Sequence, residues 1–459
     1  MSNLSIVDSN SKGMGVAKHQ GKILFVQGAV PGDIVTARVY QKKRGYFLAR
    51  LETLEKPSAD RVDPPCEHFG VCGGCKWQQL SYAAQLRYKE KEVAHNLTHI
   101  GKVSVYKTLP IMPAPEAYFY RNKMEFSFSN QRWLTPHEIA SPDQELERNG
   151  LGFHKPGMWD KVVDVKKCHL QADPSNAIRN FIRSHALTNN LSFFNPRQQE
   201  GFLRTLMIRT AASGEILVLL QFFHEDAVAR KTLLAALLAT FPQITALLYC
   251  INSKPNDSLY DQDIHGYTER QFIIEKMGAL QFQIGPKSFY QTNSRQAENL
   301  YKQVKEFAQL QAHETVYDLY TGTGTIAQFV ADQCAKVVGI ESVPEAIAAA
   351  KVNAENNGIT NVTFEVGDMK DCFNRAFVQR HGKAAVVITD PPRSGMHPKV
   401  VQQLLELQPE RIVYVSCNSA TQARDLALLK DAYTVEKSQA IDMFPQTQHV
   451  ENIVLLQRI

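Results

Sequence analysis

The sequence has no long apolar run. Its longest apolar stretches, such as ILVLLQFF at 216–223, fall well short of the roughly 18 residues that a helix needs to cross a bilayer, so they predict strands and exclude a helical membrane protein. The polar start, MSNLSIVDSNSKG, has no apolar core of the kind that a secretory signal requires. We therefore expect a cytoplasmic protein with no membrane partner.

Internal repeats and low-complexity tracts are also absent, which excludes solenoids and disordered linkers as the main architecture. The charged fraction is 21% and the hydrophobic fraction 44%, as in ordinary globular domains. A chain of 459 residues suggests about three domains. Only eight residues are cysteines, and because cytoplasmic thiols stay reduced, these must be interpreted by spacing rather than as disulfides.

The positive charge is concentrated at the N-terminus. Residues 1–57 contain nine lysines and arginines against four acidic residues, which accounts for the whole net charge of +5. The apolar runs KILFV, DIVTARVY and YFLARL, separated by glycine and proline turns, predict a small antiparallel barrel. Lys42, Lys43 and Arg44 stand beside Tyr46, a combination that suits single-stranded nucleic acid; a solvated basic turn is the alternative.

The C-terminal part alternates strands and helices. This alternation starts at TVYDLYTGTGTIA and predicts a parallel sheet that continues to the C-terminal run ENIVLLQRI. Gly322 and Gly324 form a glycine loop between a strand and a helix, and Glu341 ends the next strand, where its carboxylate could bind a ribose. The loop alone is compatible with a dinucleotide or with S-adenosylmethionine. Residues 58–280 mix strands and helices.

Two further motifs follow strands. TDPPRSG contains Asp390 in a turn that its prolines make rigid, although an ordinary strand-ending turn would look similar. VYVSCNSATQARDL places Cys417 between a strand and a helix. The carboxyl ends of strands border the ligand crevice in α/β sheets, so this thiol is a candidate nucleophile; a buried structural cysteine is the alternative.

With DLYTGTGTIA, TDPPRSG, VYVSCNSATQARDL and QHVENIVLL in this order, the chain resembles the RNA uracil-C5 methyltransferase family over essentially its full length. The first domain resembles a TRAM domain. The resemblance implies an α/β architecture: an OB-like β-barrel that binds RNA (1–57), a mixed α+β central domain with a cysteine cluster (58–280) and a Rossmann-like methyltransferase domain that uses S-adenosylmethionine (281–459). Two positions depart from the family pattern, Ser419 for a proline and Thr321 for a cysteine. The lost proline could loosen the turn at Cys417.

The resemblance also implies residue roles. C5 of uridine is a weak nucleophile, and a thiolate that adds to C6 makes the ring enolate-like. Cys417 matches that nucleophile, and we expect its turn or the following helix to activate it in part. Glu451 matches the base that removes the C5 proton, with a simple ion pair as the alternative. Arg393 would steady the Asp390 loop or the RNA. The residues expected to contact S-adenosylmethionine are Gln291, Tyr320, Glu341 and Asp390.

Four cysteines have the spacing of metal ligands. Cys66, Cys72 and Cys75 share the loop CEHFGVCGGC, and Cys168 follows later. Such a set suits a [4Fe–4S] cluster or tetrahedral zinc. Resemblance to the iron–sulfur branch of the family, which modifies large-subunit ribosomal RNA, favours the cluster. The other thiols that lie outside the motifs, Cys250, Cys334 and Cys372, are predicted to be packing residues.

These features predict an enzyme that methylates C5 of a uridine in RNA, with 23S ribosomal RNA as the expected substrate and transfer RNA as the alternative. We expect the enzyme to be a monomer. Two other classes remain open from the residues alone. One is an RNA-binding protein that no longer catalyses methylation, and the other is an NAD-dependent oxidoreductase.

Overall fold

The computed structural model describes residues 1–140 and 146–459. Its strands, in chain order, are β1 (Leu4–Ser9), β2 (Gly15–His19), β3 (Lys22–Gln27), β4 (Ile34–Lys43), β5 (Tyr46–Lys56), β6 (Val105–Met112), β7 (Lys123–Ser129), β8 (Gly150–Lys155), β9 (Met158–Asp164), β10 (Leu203–Thr210), β11 (Ile216–Phe222), β12 (Ile244–Ile251), β13 (His265–Gly266), β14 (Ile273–Met277), β15 (Leu280–Ile284), β16 (Thr315–Leu319), β17 (Lys336–Glu341), β18 (Val362–Val366), β19 (Val386–Thr389), β20 (Arg411–Ser416), β21 (Tyr433–Ile441) and β22 (Glu451–Arg458).

The helices are α1 (Tyr82–Asn96), α2 (Pro136–Ile139), α3 (Ser175–Thr188), α4 (Ala227–Thr240), α5 (Ser294–Ala308), α6 (Thr325–Val330), α7 (Pro344–Asn356), α8 (Met369–Cys372), α9 (Arg375–His381), α10 (Pro398–Leu407) and α11 (Ser419–Leu429). A π-turn (Leu97–Gly101) and a 3-10 turn (Ala331–Gln333) complete the list. In the part of the chain that the structure describes, none of these helices combines the length and apolar character of a membrane crossing.

The chain divides into two compact units. The first contains Met1–Asp63, Trp77–Ala117 and Arg295–Ile459, and the second contains Pro64–Lys76 and Tyr118–Ser294. The three-domain division at 1–57, 58–280 and 281–459 stays a prediction.

The N-terminal strands of the first unit form a closed barrel in the order β1-β2-β3-β5-β4, which confirms the predicted barrel. One pair differs from the expected antiparallel pattern, because β5 returns from β4 to lie beside β3 and runs parallel to it. Lys42 and Lys43 pair with Phe47 and Tyr46 across the β4–β5 hairpin. The basic side chains at this hairpin are exposed, so they are available to a partner.

The first unit also contains an eight-stranded sheet in the order β18-β17-β16-β19-β20-β22-β21-β6. Strands β16 to β20 are parallel, as predicted. The prediction of a parallel sheet to the C-terminus is wrong for β22, which is antiparallel to both of its neighbours. The physical reason is the connection: residues 442–450 form a loop without a crossover helix, and such a loop can only return the chain antiparallel. Antiparallel β22 therefore begins where β20 ends.

Helix α1 fixes the loop that precedes β22. The buried Lys89 ammonium lies 2.6 Å from the Asp442 carboxylate, a pairing that a charge shielded from water requires. The Gln85 side chain exchanges two hydrogen bonds with Gln446: Gln85 Nε2 donates to the Gln446 side chain at 3.0 Å, and the Gln446 backbone N–H donates to Gln85 at 2.9 Å. The loop that leads into Glu451 is thus held at two points.

The second unit is built on a seven-stranded sheet in the order β13-β12-β11-β10-β7-β8-β9, with a separate β14–β15 hairpin. The predicted pairing of the segments YRNKMEFSFS and TLMIRTAASGEILVLLQFF is confirmed, since β10 lies between β7 and β11 and is antiparallel to both. Their apolar side chains form much of this unit's core: Phe126, Leu206, Ile208, Leu217, Leu219 and Phe222.

Candidate active site

The glycine loop lies between β16 and α6, where the sequence predicted it. Gly322 and Gly324 have φ of +57° and +73°, a region that favours glycine. A Cβ on Gly324 would lie 2.7 Å from the Phe364 ring and 3.0 Å from Ala350 Cβ, so a side chain there would push these neighbours away. A Cβ on Gly322 would meet nothing within 4 Å. The loop is therefore closely packed at Gly324, whereas the space next to Gly322 is open.

Two carboxylates hold this loop. Asp318 accepts hydrogen bonds from the Thr321 hydroxyl and from the Ala327 backbone N–H, the latter at 3.1 Å. Glu341, at the end of β17, accepts from the Gly322 N–H at 3.2 Å and from the Ser342 N–H at 2.7 Å. Thr321, which replaces the family's cysteine, thus adds a hydrogen bond to the loop.

The environment of Asp318 fits a bound ligand. Its second oxygen, Oδ1, is buried and has no hydrogen-bond partner among the described residues, and an unpaired buried acceptor is costly. Burial, with the Glu341 charge as a smaller cause, raises the pKa of Asp318 to about 7. An open glycine, an unpaired acceptor and a nearby carboxylate at the carboxyl ends of β16 and β17 are suited to an adenosine cofactor.

Three of the four residues predicted to contact S-adenosylmethionine lie near this loop. Tyr320 directly follows β16 and has a φ of +63°, Glu341 ends β17, and Asp390 directly follows β19, the other neighbour of β16. The fourth, Gln291, belongs to the second unit. There the Asn122 side chain donates to the Gln291 carbonyl at 2.8 Å and to Ser294 Oγ at 2.8 Å, which fixes the backbone of that motif.

The turn after Asp390 is fixed by α11. Gly395 has a φ of +79°, and a Cβ there would lie 2.6 Å from an Arg424 nitrogen and 2.7 Å from Asp425 Oδ2. The same Asp425 oxygen accepts from the Met396 N–H at 2.8 Å and from the Tyr414 hydroxyl at 2.8 Å. The DPPRSG turn is therefore packed tightly against the helix that follows Cys417.

Cys417 lies at the corner that the sequence predicted, after β20 and before α11. Asn418 caps α11 by accepting from the Ala420 N–H at 3.1 Å, as expected for an asparagine at this position. Ser419 replaces the family's proline, and its hydroxyl accepts from Asn96 Nδ2 at 2.8 Å between two buried side chains. This hydrogen bond adds a contact to the turn, and the loosening expected from the missing proline stays a prediction.

The antiparallel register brings Glu451 to Cys417. Ser416 of β20 is paired with Asn452 of β22, so the next position along β20, Cys417, stands opposite Glu451. Glu451 is only 6% exposed. The two predicted catalytic residues, 34 positions apart in the chain, thus lie side by side at the end of the sheet.

Burial and nearby carboxyl groups oppose ionisation of this pair. Burial, and then the Asp390 charge, raises the pKa of Glu451 to about 8, while Arg393 opposes the rise. Burial and the Asp318 charge raise the pKa of Asp390 to about 7. Burial, Glu451 and Asp390 raise the pKa of Cys417 to about 11. We expected the turn and helix to activate this thiol, but the net effect of its surroundings is the opposite.

His449 is a residue of the site that the sequence analysis missed. Its Nδ1 lies 2.6 Å from a guanidinium nitrogen of Arg393. A signal was present, because His449 precedes Glu451 by two residues and side chains two apart in an extended chain point to the same side. Without the register of β22, however, that side could not be identified as the side that faces Cys417.

The four predicted metal-ligating cysteines all belong to the second unit. The charges of Cys66 and Cys168 influence the Cys72 thiol, and those of Cys75 and Cys66 influence Tyr118, so these thiols gather in one region. Among the described residues, no group of three or more His, Cys, Asp or Glu side chains has the arrangement that binds a single metal ion.

The local structure around these cysteines suits a thiolate-bound group. The Gly74 N–H donates to Cys72 Sγ at 3.4 Å, and hydrogen bonds to sulfur are typical of cluster ligands. A Cβ on Gly73 would lie 2.7 Å from the His154 carbonyl, so the loop requires glycine there. Asn176 holds the backbone of Cys168 from both sides, accepting from its N–H at 2.7 Å and donating to its carbonyl at 3.1 Å. These contacts fix the backbone at Cys72 and Cys168, and the cluster itself stays a prediction.

The three cysteines outside the motifs were predicted to be packing residues, and two of them are buried. Cys250 in β12 and Cys334 are buried, whereas Cys372 is partly exposed at the end of α8. For Cys372, the role of packing residue stays a prediction.

Comparisons with known proteins identify the family of the chain. The family model described as tRNA (Uracil-5-)-methyltransferase matches residues 264–459, and a TRAM domain model matches residues 3–51. An uncharacterized RNA methyltransferase of Porphyromonas gingivalis is 52% identical over 99% of both chains. One of Bacteroides thetaiotaomicron is 51% identical over 97% of this chain and 99% of its own.

A solved structure covers the same length. The Pyrococcus abyssi tRNA (uracil-54, C5)-methyltransferase in complex with S-adenosyl-L-homocysteine is 28% identical, with a TM-score of 0.77 over 99% of this chain and 100% of that chain. The sheet, the glycine loop and the acidic residues at the strand ends define an S-adenosylmethionine-dependent methyltransferase.

The chain belongs to the RNA uracil-C5 methyltransferase family and carries an N-terminal TRAM domain. It is an RNA methyltransferase of the uracil-C5 type that uses S-adenosylmethionine. The family assignment confirms the prediction, and it excludes both the NAD-dependent oxidoreductase and the RNA-binding protein without catalysis.

Proposed function

We propose that this enzyme methylates a uridine of 23S ribosomal RNA through a covalent adduct between Cys417 and C6 of the base. The observation that carries the mechanism is the pairing of β20 with β22, which brings the Cys417 thiol opposite the Glu451 carboxyl. Nucleophile and base then face one pyrimidine ring from a single edge of the sheet.

Cys417 begins the reaction. Its thiolate adds to C6 of uridine, and the electrons of the C5–C6 double bond move into the C4 carbonyl to give an enolate. This makes C5 nucleophilic. S-adenosylmethionine, when bound, supplies the methyl group that C5 takes up. The same carbon then bears both a methyl group and a proton.

Glu451 completes the reaction. Its carboxylate removes the C5 proton, the C5–C6 double bond re-forms, and the C6–sulfur bond breaks to release the thiolate. The raised pKa of Glu451 makes it a stronger base than an ordinary carboxylate, so it suits removal of a carbon-bound proton near neutral pH. The proton leaves the site by exchange with solvent.

Gln291, Tyr320, Glu341 and Asp390 are the residues that we propose hold S-adenosylmethionine. Glu341 supports this because it already fixes the Gly322 backbone at 3.2 Å and follows a strand end, where ribose hydroxyls are commonly bound. Asp390 supports it through its position between the glycine loop and Cys417.

We also propose that Cys66, Cys72, Cys75 and Cys168 hold a [4Fe–4S] cluster. Their shared unit and the hydrogen bond to Cys72 Sγ support it, and methyl transfer moves no net electrons, so the cluster would be structural. The cysteine pattern resembles that of the iron–sulfur branch and favours ribosomal RNA as substrate. We also propose that the enzyme acts in the cytoplasm as a monomer. Similarity to the Pyrococcus abyssi enzyme favours transfer RNA as the second candidate.

The test of the substrate uses both RNAs. The enzyme is incubated with labelled S-adenosylmethionine and either unmodified 23S ribosomal RNA or unmodified transfer RNA, and 5-methyluridine is mapped by mass spectrometry. We expect product in the ribosomal RNA alone. Product confined to transfer RNA would refute ribosomal RNA as the substrate and support transfer RNA instead.

A further inference from the structure

Arg393 is attached to the segment that carries the nucleophile. Its backbone carbonyl accepts hydrogen bonds from Asn418 Nδ2 at 3.0 Å and from Thr421 Oγ1 at 3.2 Å. Asn418 directly follows Cys417, and Thr421 lies in the first turn of α11. Any motion of the Cys417 turn would therefore carry the Arg393 backbone with it.

The side chain of Arg393 is held from the opposite segment. Its guanidinium contacts His449 Nδ1 at 2.6 Å, and His449 stands two residues before Glu451. An arginine has only donors, so the His449 ring is the acceptor in this contact. Arg393 thus joins the segment of the nucleophile to the segment of the base.

This arrangement places a cation next to the Cys417 turn, since the Arg393 carbonyl is bound by Asn418 and its guanidinium by His449. Arg393 acts to lower the pKa of Cys417, while the charges of Glu451 and Asp390 act on the thiol in the opposite sense. Two acidic groups next to a nucleophile that must become an anion are unfavourable, because like charges at close range disfavour ionisation. The Arg393 guanidinium acts against them.

We propose that Arg393 is a further catalytic residue, which stabilises the Cys417 thiolate, and that His449 is the positioning residue that directs the Arg393 guanidinium toward the sulfur. This inference rests on the proposed role of Cys417 as nucleophile. It gives Arg393 of the DPPRSG turn a task at the thiol, beyond holding the Asp390 loop.

The test measures the thiol itself, without RNA or S-adenosylmethionine. The full-length enzyme is alkylated with iodoacetamide at several pH values, and modification of the Cys417 peptide is quantified by mass spectrometry, with Cys417→Ala identifying the peptide. The variants are Arg393→Gln, Arg393→Lys, His449→Gln and His449→Phe. Arg375→Gln, which changes an exposed arginine, is the matched control.

We expect Arg393→Gln to move the alkylation profile upward by about one pH unit, which is about a tenfold lower rate at a fixed pH below the midpoint. Arg393→Lys should recover part of that rate, because it keeps the charge. His449→Phe should lower the rate, whereas His449→Gln should keep it, since its amide oxygen also accepts from Arg393. The Arg375→Gln profile should match the parent profile.

Superimposable profiles for Arg393→Gln and the parent would overturn the role of Arg393. Equal losses in His449→Gln and His449→Phe would overturn the role of His449. S-adenosylmethionine binding, measured by calorimetry, verifies that each variant is folded. A failure of the proposed function looks different: Cys417→Ala would then still methylate RNA, whatever the alkylation profiles of the Arg393 and His449 variants.

Discussion

Replacing Glu451 with Gln separates the two halves of the proposed reaction. Glutamine keeps the shape of the side chain but cannot accept the C5 proton, so Cys417 addition and methylation proceed while elimination stops. A covalent protein–RNA adduct that contains the transferred methyl group should accumulate and survive denaturing electrophoresis. Loss of a positioned base typically costs about 10²-fold or more, so we expect the adduct to live at least about a hundred times longer than in the parent.

The pKa of Glu451 sets the pH dependence of the parent enzyme. With a pKa of about 8, roughly one Glu451 in ten is ionised at pH 7 and about nine in ten at pH 9. The decay of the adduct, followed by quenching samples in denaturant, should therefore quicken about ninefold over this range. In Glu451→Gln the decay should be slow and independent of pH.

The same pKa predicts a stability difference that needs no substrate. Because the folded carboxyl has a pKa of about 8 against an ordinary glutamate value of 4.5, its contribution to stability is fully present below pH 4.5 and is lost as the pH rises to 8. Glu451→Gln removes this loss, so its free energy of unfolding relative to the parent should increase across that window. The ceiling is about 5 kcal/mol, measurable by urea denaturation at pH 5 and 8.5.

Two controls complete this experiment. Glu410→Gln, an exposed glutamate just before β20, should behave as the parent in both assays, and Cys417→Ala combined with Glu451→Gln should form no adduct. If Glu451→Gln turns over at nearly the parent rate without adduct, another group removes the C5 proton, and the assignment of Glu451 as the base is refuted.

Three further predictions concern the separate parts of the enzyme. Cys417→Ala should abolish methylation yet bind S-adenosylmethionine with unchanged affinity in calorimetry, because the cofactor loop and the thiol are distinct groups; residual turnover would contradict the covalent route. The purified enzyme should contain iron and sulfide, and Cys168→Ser should lose both and unfold at a lower temperature; stoichiometric zinc would disprove the cluster. Replacing Lys42, Lys43 and Arg44 with Ala should weaken RNA binding and lower the salt slope by about 0.7 per lost phosphate contact, with kcat nearly unchanged; an unaltered slope would mean that these residues do not touch the RNA backbone.

The parts of the site that the sequence predicted depend on local signals. The glycine loop and the Cys417 corner each lie between a strand and a helix, and a short window of residues reveals both. The contact between Arg393 and His449 could not be predicted from local signals, because it depends on β22 running antiparallel to β20. Nothing in the run ENIVLLQRI states that direction.

The electrostatic character of the site was also beyond the sequence. The turn and the start of α11 suggested a thiol of lowered pKa, since helix N-termini favour thiolates. Burial and two carboxyl groups outweigh that effect and raise the pKa of Cys417 to about 11. These groups approach only when three strands of the sheet are assembled, so neither their distance nor their burial can be read from the linear order of residues.

The pairing of β6 with β21 and of Lys89 with Asp442 has a consequence for synthesis of the protein. The two partners of the ion pair are 353 residues apart, and at roughly 5–20 residues per second the ribosome needs about 20–70 s to make the intervening chain. Throughout that interval α1 and β6 lack the surface that buries them. We therefore expect nascent chains stalled before β21 to be cleaved by protease within residues 82–112, and to gain protection only when the last strands emerge.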